Sequence, residues 1–295
     1  MILITGASGF VGRNLLRHID AKKMRIRCLV RNKNKLGGDE EAEIIEGDIS
    51  DRNVLNEATK NVDTVVHLAA VIKSSVPREF VDVNVTGTKN LVEACLRNEI
   101  KKIIYVSSLD AALNKHDLYG ETKAGGEDEI IRSGIDYIIL RPALIYGTDL
   151  NGINVLAKIV KTFPIIPVIG GGTHKLQPVY INDVCEIIAK LINSDIRNKI
   201  YYIAGEQDIS MNALIDKIAD IYGKKVFKIH IPLWSLWLPL KIYNLVFSNY
   251  AISYQALKLL DQDKICKLGE IKKDFNFKPV DIDDGLRLVL QDRCA

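Results

Sequence analysis

The sequence predicts a doubly wound parallel α/β sheet with a smaller C-terminal α/β lobe. Three observations carry this reading. Short β-rich runs alternate with amphipathic helical patterns through the first half of the 295 residues, and strand–helix–strand repetition makes parallel sheets with right-handed crossovers and helices on both faces. A glycine-rich turn, Gly6-Ala7-Ser8-Gly9-Phe10-Val11-Gly12, joins the first run to the first helical pattern. Beyond Tyr146-Gly147 the regular alternation gives way to a mixed texture with a loop at Gly170-Gly171-Gly172.

Strands are predicted at 1–5, 25–30, 43–46, 64–68, 102–107 and 137–140, each a short β-rich run. Helical patterns at 11–19, 54–59, 86–97 and 119–133 lie among them. In the second half, 177–181 and 199–204 read as strands, 183–193 and 211–222 as helices, and 284–290 as an amphipathic close. Residues 1–165 are thus expected to form the sheet domain, with a return strand and helix near 177–204, and 166–295 mainly a substrate-binding lobe. No internal repeat or low-complexity linker is visible.

Composition narrows the class. With 47% apolar and 26% charged residues the chain is neither disordered nor fibrous. A net charge of +3 is too mild for the concentrated basic face of a nucleic-acid binder. Five cysteines (Cys28, Cys95, Cys185, Cys266, Cys294) are scattered without metal-ligand spacing and read as thiols in a reducing compartment. The five histidines also lack ligand spacing, so no metal is assigned. No serine sits in a nucleophile-elbow pattern. The first strand begins almost at Met1, which leaves no room for a targeting segment. The most apolar stretch, 229–247, is interrupted by Pro232, Pro239 and Lys241, short of the ~18 apolar residues of a membrane span. A cytoplasmic protein is expected.

The glycine turn carries chemistry. Gly6 permits a tight turn, Gly9 lets backbone amides approach a diphosphate, and Gly12 allows close helix–strand contact, while the helix start lends partial positive charge. A glycine-rich turn without a ligand would share the local pattern, but strand, turn and helix stand here in the order that dinucleotide binding requires. The end of the second strand then selects the dinucleotide. An acid there suits the ribose hydroxyls of NAD, a cation the 2′-phosphate of NADP. The chain reads Leu29-Val30-Arg31-Asn32-Lys33, so NADP is preferred to NAD through Arg31, whose guanidinium grips phosphate two-pronged. Asp48 and Ile49 follow the third strand, where a carboxylate can accept from adenine. Leu68, Ala69 and Ala70 follow the fourth, where small residues let backbone lie against a cofactor.

Tyr119 and Lys123 stand four apart in a helical pattern and share one face. A free phenol titrates near ~10, and bringing it toward neutrality takes roughly 3–4 kcal/mol, a magnitude one close cation in a sheltered cleft supplies. Tyr119 could then exchange a proton with a substrate hydroxyl during hydride transfer. Ser107-Ser108 closes the fifth strand, where a hydroxyl can donate to a substrate carbonyl.

Taken with His67-Leu68-Ala69-Ala70, Asn84-Val85-Thr86-Gly87-Thr88-Lys89-Asn90-Leu91 and Leu140-Arg141-Pro142-Ala143-Leu144-Ile145-Tyr146-Gly147, these motifs make the chain resemble the extended short-chain dehydrogenase/reductase superfamily, the epimerase/dehydratase group. The resemblance covers nearly the whole chain and implies a Rossmann-type fold. It further implies Tyr119 as acid/base, Lys123 on the nicotinamide ribose, Ser108 rather than Ser107 on the substrate oxygen, and Asn84 positioning the helix and a relay water. It places the turn from Gly6 through Ser8, Gly9, Phe10 and Val11 to Gly12 on the cofactor, and passes Pro142 over the nicotinamide. It implies an NAD(P)-dependent oxidoreductase acting at a secondary alcohol or ketone, with a nucleotide-sugar 4-epimerase or dehydratase, or a non-catalytic dinucleotide-binding protein, as alternatives. The substrate is accordingly a nucleotide sugar or an apolar ketone or alcohol. A homodimer through helices 86–97 and 119–133 is also implied. The loop between Ser108 and Tyr119 is shorter than in the sugar-nucleotide enzymes and resembles the atypical branch that includes an accessory subunit of respiratory complex I. Both tryptophans fall in 231–240. That segment reads as core of the small lobe, with a greasy substrate wall or a peripheral membrane patch as alternatives.

Overall fold

A computed structural model describes residues 1–19, 24–36, 42–113, 117–148, 152–237 and 261–291. In the first half the strands are β1 (Ile2–Thr5), β2 (Ile26–Val30), β3 (Glu43–Glu46), β4 (Thr64–His67), β5 (Lys102–Val106) and β6 (Asp136–Pro142). Between them run helices α1 (Phe10–His18), α2 (Arg52–Ala58), α3 (Pro77–Val81), α4 (Thr88–Arg97) and α5 (Leu118–Arg132). The second half contributes β7 (Ile145–Tyr146), α6 (Gly152–Thr162), β8 (Ile165–Ile169), β9 (Lys175–Leu176), β10 (Val179–Tyr180), α7 (Ile181–Ile192), β11 (Lys199–Ile203), β12 (Ile209–Ser210), α8 (Met211–Ile221), β13 (Phe227–Ile231), α9 (Gly269–Phe275) and α10 (Ile282–Gln291).

Seven strands form one parallel sheet in the order β11-β6-β5-β4-β1-β2-β3. Both faces of its central strands are covered, so each reads as an unbroken apolar run. Ile2, Ile4, Ile104, Val106, Ile138 and Leu140 face the layer of α1 and α7. Leu3, Val65, Ile103, Tyr105 and Ile139 face the layer of α2, α4 and α5. The helix α7 is placed by Val184, Ile187, Ile188 and Leu191, spaced at three and four residues and all buried. A third core, around Ile153, Val160, Ile166, Val168, Leu214, Ile218 and Leu286, holds the second lobe together.

The strand order reverses beside β1, whose neighbours are β2 and β4. In open α/β sheets ligands bind outside the carboxyl ends of the strands at such a switch point. Thr5 and His67 are register partners there, so the chain leaves β1 and β4 side by side into the crevice.

Several local features differ from the sequence reading, among them α6 and β8, which fill the stretch before the loop at 170–172, where it placed no element. The helix expected from residue 86 begins nine residues earlier with Pro77 in its first turn, and passes through a π-helical stretch, Asp82–Gly87, before α4. The β-branched and glycine-containing Val83-Asn84-Val85-Thr86-Gly87 run masks helical periodicity there. The tail after Lys225 contains a strand, β13, paired with β8. Trp234 and Trp237 are 76% and 50% exposed, so the expected aromatic core of the small lobe is not formed by them. The remainder of that segment, 238–240, and the stretch 241–247 lie outside the described residues, as does Cys294. Cys28, Cys95, Cys185 and Cys266 form no disulfide among the described residues. Among the described residues no helix is long and apolar enough to cross a membrane, and no cluster of three His, Cys, Asp or Glu side chains could hold a metal.

Candidate active site

The turn after β1 is built by what its glycines lack. Gly6 has φ +71°, and a Cβ there would lie 2.6 Å from the Ala69 nitrogen. At Gly12 a Cβ would come within 2.5 Å of the Gly6 and Ala7 carbonyl oxygens. Gly9 heads α1 without any side-chain cap, and no acid occupies the first turn. The amides at the start of α1 thus face outward with the positive end of the helix dipole behind them, a cradle that fits a diphosphate. Ser8 is held by its carbonyl, which accepts from Arg13 Nη1 at 2.6 Å. Phe10 and Val11 are half-buried, and Phe10 lies against Gly147, where a Cβ would meet its ring at 2.9 Å.

The other expected cofactor positions ring this cradle at the strand ends. Arg31 is exposed directly after β2 and has no partner among the described residues. Asp48 follows β3, its Oδ1 accepting from the Ser50 amide at 2.9 Å and hydroxyl at 2.7 Å. The Ile49 side chain is instead buried in the core, against the space that Gly87 leaves open. Leu68, Ala69 and Ala70 are half-buried beyond β4, with the Leu68 amide donating to Thr5 oxygen at 3.1 Å. Pro142 is buried as the last residue of β6.

His67, quoted in the sequence only as part of a motif, ties this end of the sheet together. It is fully buried, and desolvation with the nearby Lys123 charge pushes its pKa down to about 3, so the ring is neutral. Thr88 Oγ1 donates to the Asn84 carbonyl at 2.7 Å and therefore accepts from His67 Nε2 at 3.0 Å, which leaves Nδ1 to accept from Thr5 Oγ1 at 2.7 Å. Asn84 sits in the π-helical stretch. Its Oδ1 accepts from the Val71 amide at 2.8 Å, and its Nδ2 donates to the Val71 oxygen at 3.0 Å and to Thr122 Oγ1 at 3.1 Å. It clamps the loop after β4 onto α5.

On α5 the Asp117 side chain caps the first turn, accepting from the Gly120 amide at 2.8 Å. This fixes Tyr119 at the ligand side of β5. The Ser108 hydroxyl stands beside the Tyr119 phenol and favours its ionised form, while Ser108 Oγ donates to Asp110 Oδ2 at 3.2 Å and accepts from the Asp110 amide at 3.1 Å. Ser107 points elsewhere, donating to buried Glu127 at 2.5 Å. Lys123 is fully buried, donates from Nζ to the Val106 oxygen at 2.8 Å and lies 3.9 Å above the Tyr105 ring. Desolvation lowers its pKa to about 7 against the opposing pull of Glu127. The phenol moves the other way: burial, then the negative charge of Asp110, raise the Tyr119 pKa well above its ordinary value, and Ser108 offsets only part. The four-residue spacing suggests a phenol acidified by Lys123, whereas burial and Asp110 push its pKa the other way, with the lysine amine engaged at the end of β5.

Two partners of this site escaped sequence reasoning. Glu127 lies four residues beyond Lys123 on the same helix face, a spacing that could have found it, and pairs with Arg141 Nε at 3.0 Å and Nη2 at 2.5 Å. Lys264, from the tail, pairs with Asp110 at 2.5 Å and closes the edge of the site from the second lobe. Nearby, a cleft of about 540 Å³ opens between Leu109, Leu113, Tyr202, Ile265 and Ile271.

Comparison with known proteins agrees with this geometry. Residues 2–204 match the NAD dependent epimerase/dehydratase family. The chain is 31% identical over 256 residues, 78% of its length and 75% of the relative's, to the N-acetyl-alpha-D-glucosaminyl-diphospho-ditrans,octacis-undecaprenol 4-epimerase of Escherichia coli O157:H7. It is 30% identical over 194 residues to the ceramide reductase of Caulobacter vibrioides, covering 65% of this chain and 60% of that one. Its fold superposes with a TM-score of 0.80 and 20% identity on the UDP-glucuronic acid 4-epimerase of Bacillus cereus, solved with UDP-glucuronic acid and NAD, over 98% of this chain and 99% of that one.

Proposed function

Because the chain belongs to the NAD-dependent epimerase/dehydratase family, whose members are enzymes using NAD(P), we propose that it transfers a hydride at a secondary alcohol or ketone carbon, with Tyr119 as acid/base, on a substrate that carries a lipid portion. The observation that carries the reading is the placement of Tyr119 beside Ser108 at the carboxyl end of β5, on the same edge of the sheet as the glycine cradle after β1. The lipid portion is supported by two relatives, one named for an undecaprenol-linked sugar and one for ceramide.

In this reading the first turn of α1 holds the diphosphate, Arg31 a 2′-phosphate, and Lys123 the nicotinamide ribose. The bound dinucleotide supplies or accepts the hydride. Ser108 donates to the substrate oxygen and orients it. Tyr119, protonated at neutral pH because it is sheltered and faces Asp110, delivers its proton to that oxygen as the carbonyl is reduced. Asn84 keeps the loop after β4 at a fixed distance from α5, so the two sides of the crevice stay in register. A homodimer through α4 and α5 completes the proposal.

The test uses purified protein with NADPH or NADH and long-chain ketones, or with polyprenyl-diphosphate N-acetylglucosamine. Loss of reduced-nicotinamide absorbance with a ketone, reduced about 100-fold or more in Tyr119→Phe at unchanged dinucleotide affinity, is expected. Full activity of Tyr119→Phe would remove the reading. The relative named a 4-epimerase favours a second reaction at the same site, which interconverts the sugar without net nucleotide consumption.

A further inference from the structure

The two-stranded sheet of β8 and β13 is turned inside out. Its strands run parallel with Phe227 beside Ile165, Ile229 beside Pro167 and Ile231 beside Ile169. Ile166 and Val168 are buried, and the alternate residues of β13 reach α8 as polar groups: half-buried Lys228 pairs through Nζ with Asp216 at 2.5 Å, and exposed His230 Nε2 meets Asn212 Oδ1 at 3.0 Å. The outer face is apolar. Phe227 is 75% exposed, Ile229 and Ile165 are about half exposed, and the chain continues into exposed Trp234 and Trp237. Phe163 extends the same surface ahead of β8, where the Phe227 amide donates to the Pro164 oxygen. An amphipathic strand that turns its aromatic side outward is built to meet something apolar.

The charges around it identify what. Exposed Lys161, Lys224 and Lys225 stand where the two strands begin, and Lys224 donates to the Lys161 carbonyl, which draws the turns together. The sequence has no Asp or Glu between Asp149 and Asp183, nor between Asp220 and Asp261, so both segments that build this face are purely basic. A second copy laid on the face would bring lysine rims against each other. Phenylalanine beside lysines where the strands begin, and tryptophan beyond the end of β13, with no acid in either segment, is the composition of an interfacial surface, with the rings at headgroup depth and the amines on lipid phosphates.

We propose that this face docks the enzyme on a bilayer carrying anionic lipid headgroups. The proposal deepens the reading above, from which it takes only the lipid-bearing substrate: a docked enzyme meets such a molecule where its tail already resides.

Both tryptophans of the chain are exposed just beyond the end of β13, so intrinsic fluorescence reports docking there without substitution. Full-length protein is mixed with vesicles of phosphatidylcholine, or of phosphatidylcholine and phosphatidylglycerol in equal parts. A blue shift of emission, quenching by brominated lipid and co-sedimentation are expected with the mixed vesicles and weakly with phosphatidylcholine alone. Lys161→Glu, Lys224→Glu and Lys225→Glu should each weaken binding to the mixed vesicles at least about fivefold. Trp234→Ala with Trp237→Ala should abolish co-sedimentation while dinucleotide binding, which reports the fold, is retained. Unchanged emission with both vesicles would overturn the proposal. So would tryptophans shielded from iodide in lipid-free protein, which would mean that the chain covers the face itself, or a self-association that buries them without lipid. Vesicle binding is read without turnover, so its failure leaves the reaction untouched, and an inactive enzyme that still binds vesicles indicts only the reaction.

Discussion

Lys123 donates from Nζ to the Val106 carbonyl oxygen at 2.8 Å, from inside the protein and across the ring of Tyr105. A buried amine whose pKa falls to about 7 has a definite consequence for stability. The unfolded chain holds this proton up to about pH 10.4, so between about pH 7 and that value unfolding takes up a proton that the folded state has released. Stability contributed by this group therefore rises with pH through that window, and the penalty for charging it in the interior is complete below pH 7. Lys123→Met should raise the Tm of ligand-free protein at pH 6, and the difference from wild type should shrink as pH rises. A difference that grows with pH would contradict the buried-amine geometry.

The Glu127 carboxylate answers the charge of Arg141 and takes the Ser107 hydroxyl at the same time. Arg141 also donates from Nη1 to the Tyr202 hydroxyl at 2.9 Å, so the network crosses from α5 through β6 to β11. Glu127→Gln removes the counter-charge and leaves a largely buried guanidinium uncompensated, a loss of about 3 kcal/mol or more. Urea unfolding should show that loss, and combining it with Arg141→Met should recover part of it. Strict additivity of the two would mean that the pair is not coupled.

How much of this was legible in the sequence depends on what water does to each element. The central strands could be read because both of their faces are dry: Ile2 to Ile4 and Ile103 to Val106 are apolar without alternation. The strand β13 could not, because Lys228 and His230 are the residues that bond to α8 while Phe227 and Ile229 are exposed, which reverses the rule that period-two patterns rely on. The glycine turn was legible down to its individual glycines, since only the missing Cβ atoms allow Gly6 to approach Ala69 and Gly12 to approach Ala7. Glu127 was hidden among Glu121, Asp128 and Glu129, which look equally surface-bound in sequence; only its distance of four residues from Lys123 sets it apart. The upward push on the Tyr119 pKa was out of reach, because it comes from burial and from Asp110, and neither follows from helix spacing.

Gly12 gives a sharp test of the cradle. A methyl group there must displace the backbone of Gly6 and Ala7, both within 2.6 Å, and backbone atoms in a strand-to-helix turn have nowhere to retreat. Gly12→Ala should lower the Tm and weaken dinucleotide binding by more than about tenfold, since a shifted α1 no longer aims its amides at the diphosphate. Gly152→Ala, where an added Cβ meets nothing within 4 Å, is the matched control and should change neither. Normal dinucleotide affinity in Gly12→Ala would mean that the diphosphate is held elsewhere.

In the proposed reading Arg31 separates the two dinucleotides, because of where β2 ends. The strand delivers the chain to the rim of the crevice one strand away from the glycine turn, and Asn32 then starts a tight turn by accepting from the Asn34 amide at 2.9 Å. The Arg31 guanidinium is left exposed and has no carboxylate partner among the described residues, so a 2′-phosphate would meet an uncommitted cation. Arg31→Asp should weaken NADPH binding at least about tenfold, through loss of a charge-assisted contact and gain of a repulsive one, while NADH binding holds or tightens as the new carboxylate accepts from the ribose hydroxyls. Calorimetric titration of both nucleotides against both proteins reads this directly. Equal losses for NADPH and NADH would show that Arg31 stacks on the adenine rather than reading the phosphate, and the preference for NADP would then lose its physical basis.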